Sequence, residues 1–170
     1  MNTRNLFVLV LILIAAGLRL SGILPFNFTP IAAIALFGGA MFQNRGLAFL
    51  APLSILFLTD LTIGFHDTMW AVYGSFLLIV LIGQLVRRNP TMLSAMGAAL
   101  AGSVLFFLIT NAAAWLSIAE YSKDLSGLMN CYAAGLPFFR GTLAGDLLFT
   151  AVLFGSFKLA ELHFPKLVKA

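Results

Sequence analysis

The chain has 170 residues, 61% hydrophobic and 9% charged, where soluble domains run at about 45–50% apolar and about 25% charged. With a mean hydropathy of +1.03, these proportions exclude both a soluble globule and a disordered chain. The formal net charge of +4 and the isoelectric point near 9.6 fit orientation in a bilayer rather than binding to nucleic acid. A transmembrane helix takes about 20 residues, so six spans use roughly 120 and leave no room for a second soluble domain within the sequence. Residues 1–170 are therefore expected to form a single membrane-embedded domain. No G-x-x-x-x-G-K-[ST] phosphate loop occurs, which excludes an ATPase within the chain. The single cysteine, Cys131, makes no internal disulfide and no multi-thiolate metal site. No metal and no cofactor is expected.

Apolar runs predict six helices at approximately 5–23, 30–42, 46–64, 69–86, 93–117 and 136–161. The first follows Arg4 and contains Ala15-Ala16-Gly17, so a cleavable signal peptide stays open beside a retained helix. Its apolar character continues past Arg19 through Ile23 and Leu24, which fits the retained helix better. The second run, about 13 residues or ~19 Å, opens on Thr29-Pro30, a hydroxyl cap followed by proline at the first helical position. The short link Gln43-Asn44-Arg45-Gly46 makes the third run an antiparallel neighbour, and Asn89-Pro90 separates the fourth from the fifth. Residues 117–136 read as the longest non-spanning stretch. The fold class is thus all-α, a polytopic six-transmembrane-helix bundle.

Six spans sort the charges. Arg4, Arg45, Arg87, Arg88, Lys158, Lys166 and Lys169 fall on the side of the termini with Glu161 the one acid there, while Asp67, Glu120, Asp124 and Lys123 fall on the other side. The positive-inside rule then places the N and C termini in the cytoplasm.

Five polar residues interrupt the apolar helices toward the outer face: Arg19, Asp60, Asn111, Arg140 and Asp146. A charge in hydrocarbon costs at least about 2.5–3.5 kcal/mol on insertion scales, so such groups pair or line a wet cavity. Two arginines and two aspartates at similar depth would form one network, either as helix-locking ion pairs or as a pocket open outward. Thr142, Asp146 and Thr150 form one helical stripe; Asn111 and Trp115 share a face, as do Trp70 and Tyr73. Candidate ligand contacts are Arg19, Asp60, Tyr73, Asn111, Trp115, Arg140 and Asp146, with His66, Asn130, Cys131 and Tyr132 in outer loops as lid or ligand contacts. Leu105, Phe106 and Leu153 would seal the pocket beneath. Duller roles remain open: an interfacial aromatic belt for Trp70 and Trp115, a solvated loop for His66, an inert side chain for Cys131. Ala35, Gly38, Gly39, Gly97 and Gly102 would permit close helix packing.

The runs PFNFTPIAAIALFGGAMF (25–42), LTDLTIGFHDTMWAVYGSF (58–76), FFLITNAAAW (106–115) and GLMNCYAAGLPFFRGTLAGDLLF (127–149) resemble a family of small, six-helix, uncharacterised bacterial inner-membrane proteins. By size, helix count and site depth the chain is also similar to the substrate-binding S components of energy-coupling factor (ECF) vitamin transporters. Those often carry Ala-x-x-x-Ala on the first helix for docking; here that helix offers Ala15-Ala16-Gly17 and Gly17-x-x-x-Ser21. Cys131 is not where a cobalamin-type S component would carry its cobalt ligand.

The resemblance implies a substrate-binding subunit for uptake of a small organic nutrient, a vitamin or precursor, in the bacterial inner membrane. Its partners would be the lipid bilayer, the small-molecule ligand, and a coupling membrane subunit with ATPases. Two alternatives stay open. One is an accessory or assembly subunit of a larger membrane complex. The other is an integral membrane enzyme, for which the chain offers neither H-E-x-x-H nor G-x-S-x-G.

Overall fold

A computed structural model describes residues 2–164. Among these the fold is all-helical: α1 (Thr3–Leu20), α2 (Ile31–Met41), α3 (Arg45–Ile63), α4 (Met69–Val86), α5 (Met92–Ser117) and α6 (Leu125–His163). Lys166 and Lys169, counted above with the terminal charges, lie outside the described residues.

Four helices start where a side chain satisfies an orphan N–H of the first turn. Asn2 accepts from Asn5 N, Asn44 from Leu47 N, and Asp124 from Gly127 N. Thr91 and Ser94 exchange hydrogen bonds reciprocally at the head of α5. The start of α2 differs from expectation. Pro30 occupies the cap position itself, the helix begins at Ile31, and no side chain caps it.

α2 organises the molecule. Its 11 residues rise only about 16 Å, so it is the one helix too short to cross a bilayer. The other five are long and apolar enough to do so. Every residue of α2 is buried, and it touches all five other helices. A helix apolar on every face belongs inside a bundle, and IAAIALFGGAM is such a helix. Its small residues set the distances to its neighbours. A Cβ on Gly39 would overlap the Val80 carbonyl oxygen, and one on Gly83 would overlap that of Leu36, so α2 and α4 meet backbone to backbone. A Cβ on Gly38 would come within 2.7 Å of Pro52 Cγ on α3. Gly97, expected to serve the same purpose, has open space beside it, and Gly102 has only ordinary contact with Ile79.

Chain direction alternates, so one end of the bundle gathers the termini of the described chain and the links 42–44 and 87–91, and the other gathers the segments 21–30, 64–68 and 118–124. At the first end Arg4 approaches Glu161 at 3.7 Å, and Arg87 donates to the carbonyls of Gly39, Ala40, Phe42 and Gln43. The last carbonyls of α2 lack helical partners; the guanidinium supplies them.

The largest departure from expectation is α6. Residues 125–135, expected as loop, form its first three turns, and α6 runs for 39 residues. The polar residues of 117–136 read as loop, but Asp124 caps a helix that starts at Leu125, eleven residues earlier than expected. Cys131 Sγ on Asn111 O (3.4 Å) and Tyr132 Oη on Leu108 O (3.0 Å) then tie its first turns to α5. Pro137 sits inside α6 and leaves the Ala133 carbonyl without its helical donor.

Candidate functional site

The polar residues of the helices converge at the end that carries segments 21–30, 64–68 and 118–124. Arg19, in the last turn of α1, donates from Nη2 to Asp60 Oδ1 of α3 at 3.2 Å. Tyr73 Oη of α4 donates to the other oxygen, Asp60 Oδ2, at 3.0 Å. Both oxygens of Asp60 are thus engaged, while Arg19 Nη1 is buried with no partner among the described residues. An unpartnered N–H in such a place costs about 1–3 kcal/mol, more on a charged group.

Asp146, on α6, is 2% exposed. The Ser103 hydroxyl of α5 lies 2.6 Å from its Oδ2 and 2.9 Å from Ala99 O, so one hydroxyl proton faces two acceptors. No cationic side chain reaches Asp146 among the described residues. One turn further on, Thr150 Oγ1 is buried without a partner among the described residues.

Arg19, Asp60 and Asp146 share a cavity of about 270 Å³, lined also by His66, Asn27 and Thr142, with Ile31 and Ala32 of the uncapped α2 N-terminus in its wall. A second cavity of about 280 Å³ adjoins it through Asn27, Phe106 and Thr142, and is lined further by Asn111, Phe107, Phe138 and Phe139. Each chamber alone is just below the usual size of a small-molecule site, about 300–1,000 Å³; together they fall within it.

The segment 21–30 roofs both chambers. Phe28 N bonds Pro25 O at 3.0 Å, closing a turn. Asn27 takes a left-handed conformation (φ 59°), which asparagine tolerates better than most residues. The turn lies against α6 where that helix carries no side chain. A Cβ at Gly141 would come within 3.1 Å of Phe26 O, and one at Gly145 within 3.0 Å of Thr29 N. Phe26 packs edge-on against Phe138 and Phe28 packs at a tilt against Phe149, which pins the roof at two points.

Of the predicted site residues, Arg19, Asp60, His66 and Asp146 line the first chamber, Tyr73 orients Asp60, and Asn111 lines the second. The single network of Arg19, Asp60, Arg140 and Asp146 does not form. Arg140 is exposed on α6 and makes no ion pair among the described residues, and Asp146 pairs with Ser103. Asn111 Nδ2 bonds Phe107 O of its own helix at 2.8 Å. Trp115 lies outside both chambers: its Nε1 donates to Ser122 O at 2.8 Å and Lys123 Nζ stands 5.9 Å from its ring centroid, so it closes the turn between α5 and α6. Asn130, Cys131 and Tyr132 are helical rather than loop residues, and Cys131 is buried. His66 keeps its loop position, with Nδ1 3.0 Å from Thr68 Oγ1. Phe106 walls both chambers and Leu153 is core, but Leu105 lines a groove near the opposite end.

Sequence reasoning missed Ser103, Asn27 and Thr29. Serine in an apolar helix carries little signal, yet Ser103 and Asp146 are the polar positions of their helices that face each other. The GTLAG stretch (141–145) would have signalled a close approach to α6. Among the described residues no group of three or more His, Cys, Asp or Glu is arranged to hold a metal ion.

Neither a curated protein nor a solved structure matches this chain. Residues 1–167 match the Family of unknown function (DUF6580), and the chain belongs to that family.

Proposed function

We propose that this protein is a substrate-binding integral membrane subunit for uptake of a small organic nutrient, a vitamin or precursor, in the bacterial inner membrane. Both termini face the cytoplasm in this reading, and the end holding the polar chambers faces outward. The observation that carries it is the cavity of about 270 Å³ that gathers Arg19, Asp60 and Asp146 from three different helices. Its unmet polar groups are complementary. Arg19 Nη1 is an unsatisfied cationic donor beside the uncapped, positive end of α2, which suits an anionic or acceptor group. Asp146, without a cation of its own, suits a hydrogen-bond donor or cationic group, and the phenylalanines of the adjoining chamber suit a ring. A ligand would enter beneath the segment 21–30 and be released inward after reorientation in the bilayer. A coupling membrane subunit and ATPases would supply the energy, as in ECF transporters.

One observation favours the accessory-subunit reading instead: Asp60 is already satisfied by Arg19 and Tyr73, as a helix-locking pair would be. Native mass spectrometry of the detergent-purified protein separates the two. The transport reading expects a small molecule to leave with the wild type, and Arg19→Gln and Asp146→Asn to reduce its occupancy at least about tenfold, the effect of one lost charged hydrogen bond. Bare protein in every preparation, with Arg19→Gln clearly less stable than wild type, would make the accessory reading the stronger.

A further inference from the structure

At the end opposite the chambers, a groove of about 460 Å³ opens between the helices, lined by Arg45, Arg87, Arg88 and Gln84 and floored by leucines such as Leu81 and Leu85. Arg45 and Arg88 are exposed and make no ion pair or side-chain hydrogen bond among the described residues. Arg87 is held by four backbone carbonyls and no carboxylate. Burial lowers its guanidinium from the ordinary value, and the charges of Arg4 and Arg45 push the same way. Glu161 is the only acid at this end among the described residues, and it pairs with Arg4 and Lys158. Gln84 Nε2 is buried with no partner among the described residues. Beneath these cations the groove wall is apolar and open to the surroundings, with Leu81 46% and Leu85 61% exposed.

The positive charge is therefore uncompensated, collected at one depth, and continuous with a bare aliphatic surface. A phosphate group answers the guanidinium and amide donors, and free phosphate would do so as well as a headgroup. Only a lipid also covers the leucines. We propose that this groove binds one anionic phospholipid, its phosphate among Arg45, Arg88 and Gln84 and its acyl chain along Leu81 and Leu85. Arg87 adds field without giving up its role at the end of α2. The proposal is independent of any ligand in the polar chambers, which lie at the other end of the bundle.

The test is native mass spectrometry of the full chain in neutral detergent, titrated with phosphatidylglycerol, with phosphatidylcholine of the same acyl chains, and with inorganic phosphate. Phosphatidylglycerol should bind as a single resolved adduct, roughly tenfold or more tighter than phosphatidylcholine, since each arginine near a headgroup contributes about a factor of five. The pair Arg45→Gln and Arg88→Gln should remove that preference, and Arg45→Lys with Arg88→Lys should keep most of it. Millimolar inorganic phosphate should not displace the lipid. Equal affinity for the two lipids in the wild type, a preference that survives the glutamine pair, or displacement by phosphate alone would each overturn the proposal. The wild-type lipid comparison decides even if the glutamine pair fails to fold.

Discussion

Arg19 and Asp60 show how a charge is kept inside an apolar bundle. Each side chain is mostly withdrawn from the surroundings, at 13% and 9% exposure, and each has the other as its counter-charge. Removing one partner leaves the other uncompensated, so Arg19→Ala or Asp60→Ala alone should each cost about 3 kcal/mol or more. The double variant should cost less than the two single losses together, and Arg140→Ala should combine additively with either. Thermal unfolding in detergent over that set of variants checks both statements; coupling of Arg140 to Asp60 would contradict the geometry. Asp124 supplies a pH-dependent counterpart outside the spanning segments. The Gly127 N–H, then the Ser122 hydroxyl, hold its carboxyl below the ordinary value. Its stabilising effect is therefore present above the unfolded value of about 3.9 and is lost as pH falls through the lower folded value. Wild type should lose stability through that acid window more steeply than Asp124→Asn, and superimposable pH curves would contradict it. Which charges existed, and on which helix, was legible in the sequence. Their partners were not, because rotation about a helix axis decides whether Asp146 meets Arg19 or Ser103, and spacing alone leaves that rotation free.

At the scale of the helix, composition was a good guide where the apolar run was long and a poor one where the chain turns. α3, α4 and α5 begin and end within about two residues of their expected limits, as is usual for boundaries drawn from hydrogen bonds. α6 does not, because the polar residues of 117–136 mimic a loop while Asp124 and the bonds to α5 hold a helix. A labelling experiment follows directly. Cys131 is 3% exposed, so a maleimide should fail to modify it in the folded protein and succeed after denaturation. A cysteine introduced at the exposed Asn130 in a Cys131→Ser background should react at once. Rapid labelling of native Cys131 would restore the loop. The contact between α2 and α4 gives a second test. With Leu36 O over Gly83 and Val80 O over Gly39, an added methyl must push two backbones apart. Gly39→Ala and Gly83→Ala should each cost about 1–3 kcal/mol, whereas Gly97→Ala, with open space beside it, should not destabilise.

Over the whole molecule, an 11-residue helix buried on every face holds five longer ones around it. Its two ends do different things. One is closed by Arg87 on its last carbonyls; the other stands uncapped in the wall of the polar chamber. The all-helical class and the grouping of charges at the two ends could be read from the sequence, since both depend on composition along the chain. The central place of α2 could not, because an apolar helix facing lipid and one facing protein have the same residues. The roof over the chambers was equally hidden: it depends on Asn27 turning the segment 21–30 down onto the bare face of α6. The central claim is that the chambers between Arg19 and Asp146 hold a ligand rather than only locking helices. A high-resolution experimental structure of the protein taken from its native membrane tests it most directly. Non-protein density is expected beneath Asn27, within hydrogen-bonding distance of Arg19 Nη1 and of the Asp146 carboxyl. Chambers collapsed by side chains, with Arg19 Nη1 donating to a protein acceptor, would contradict it.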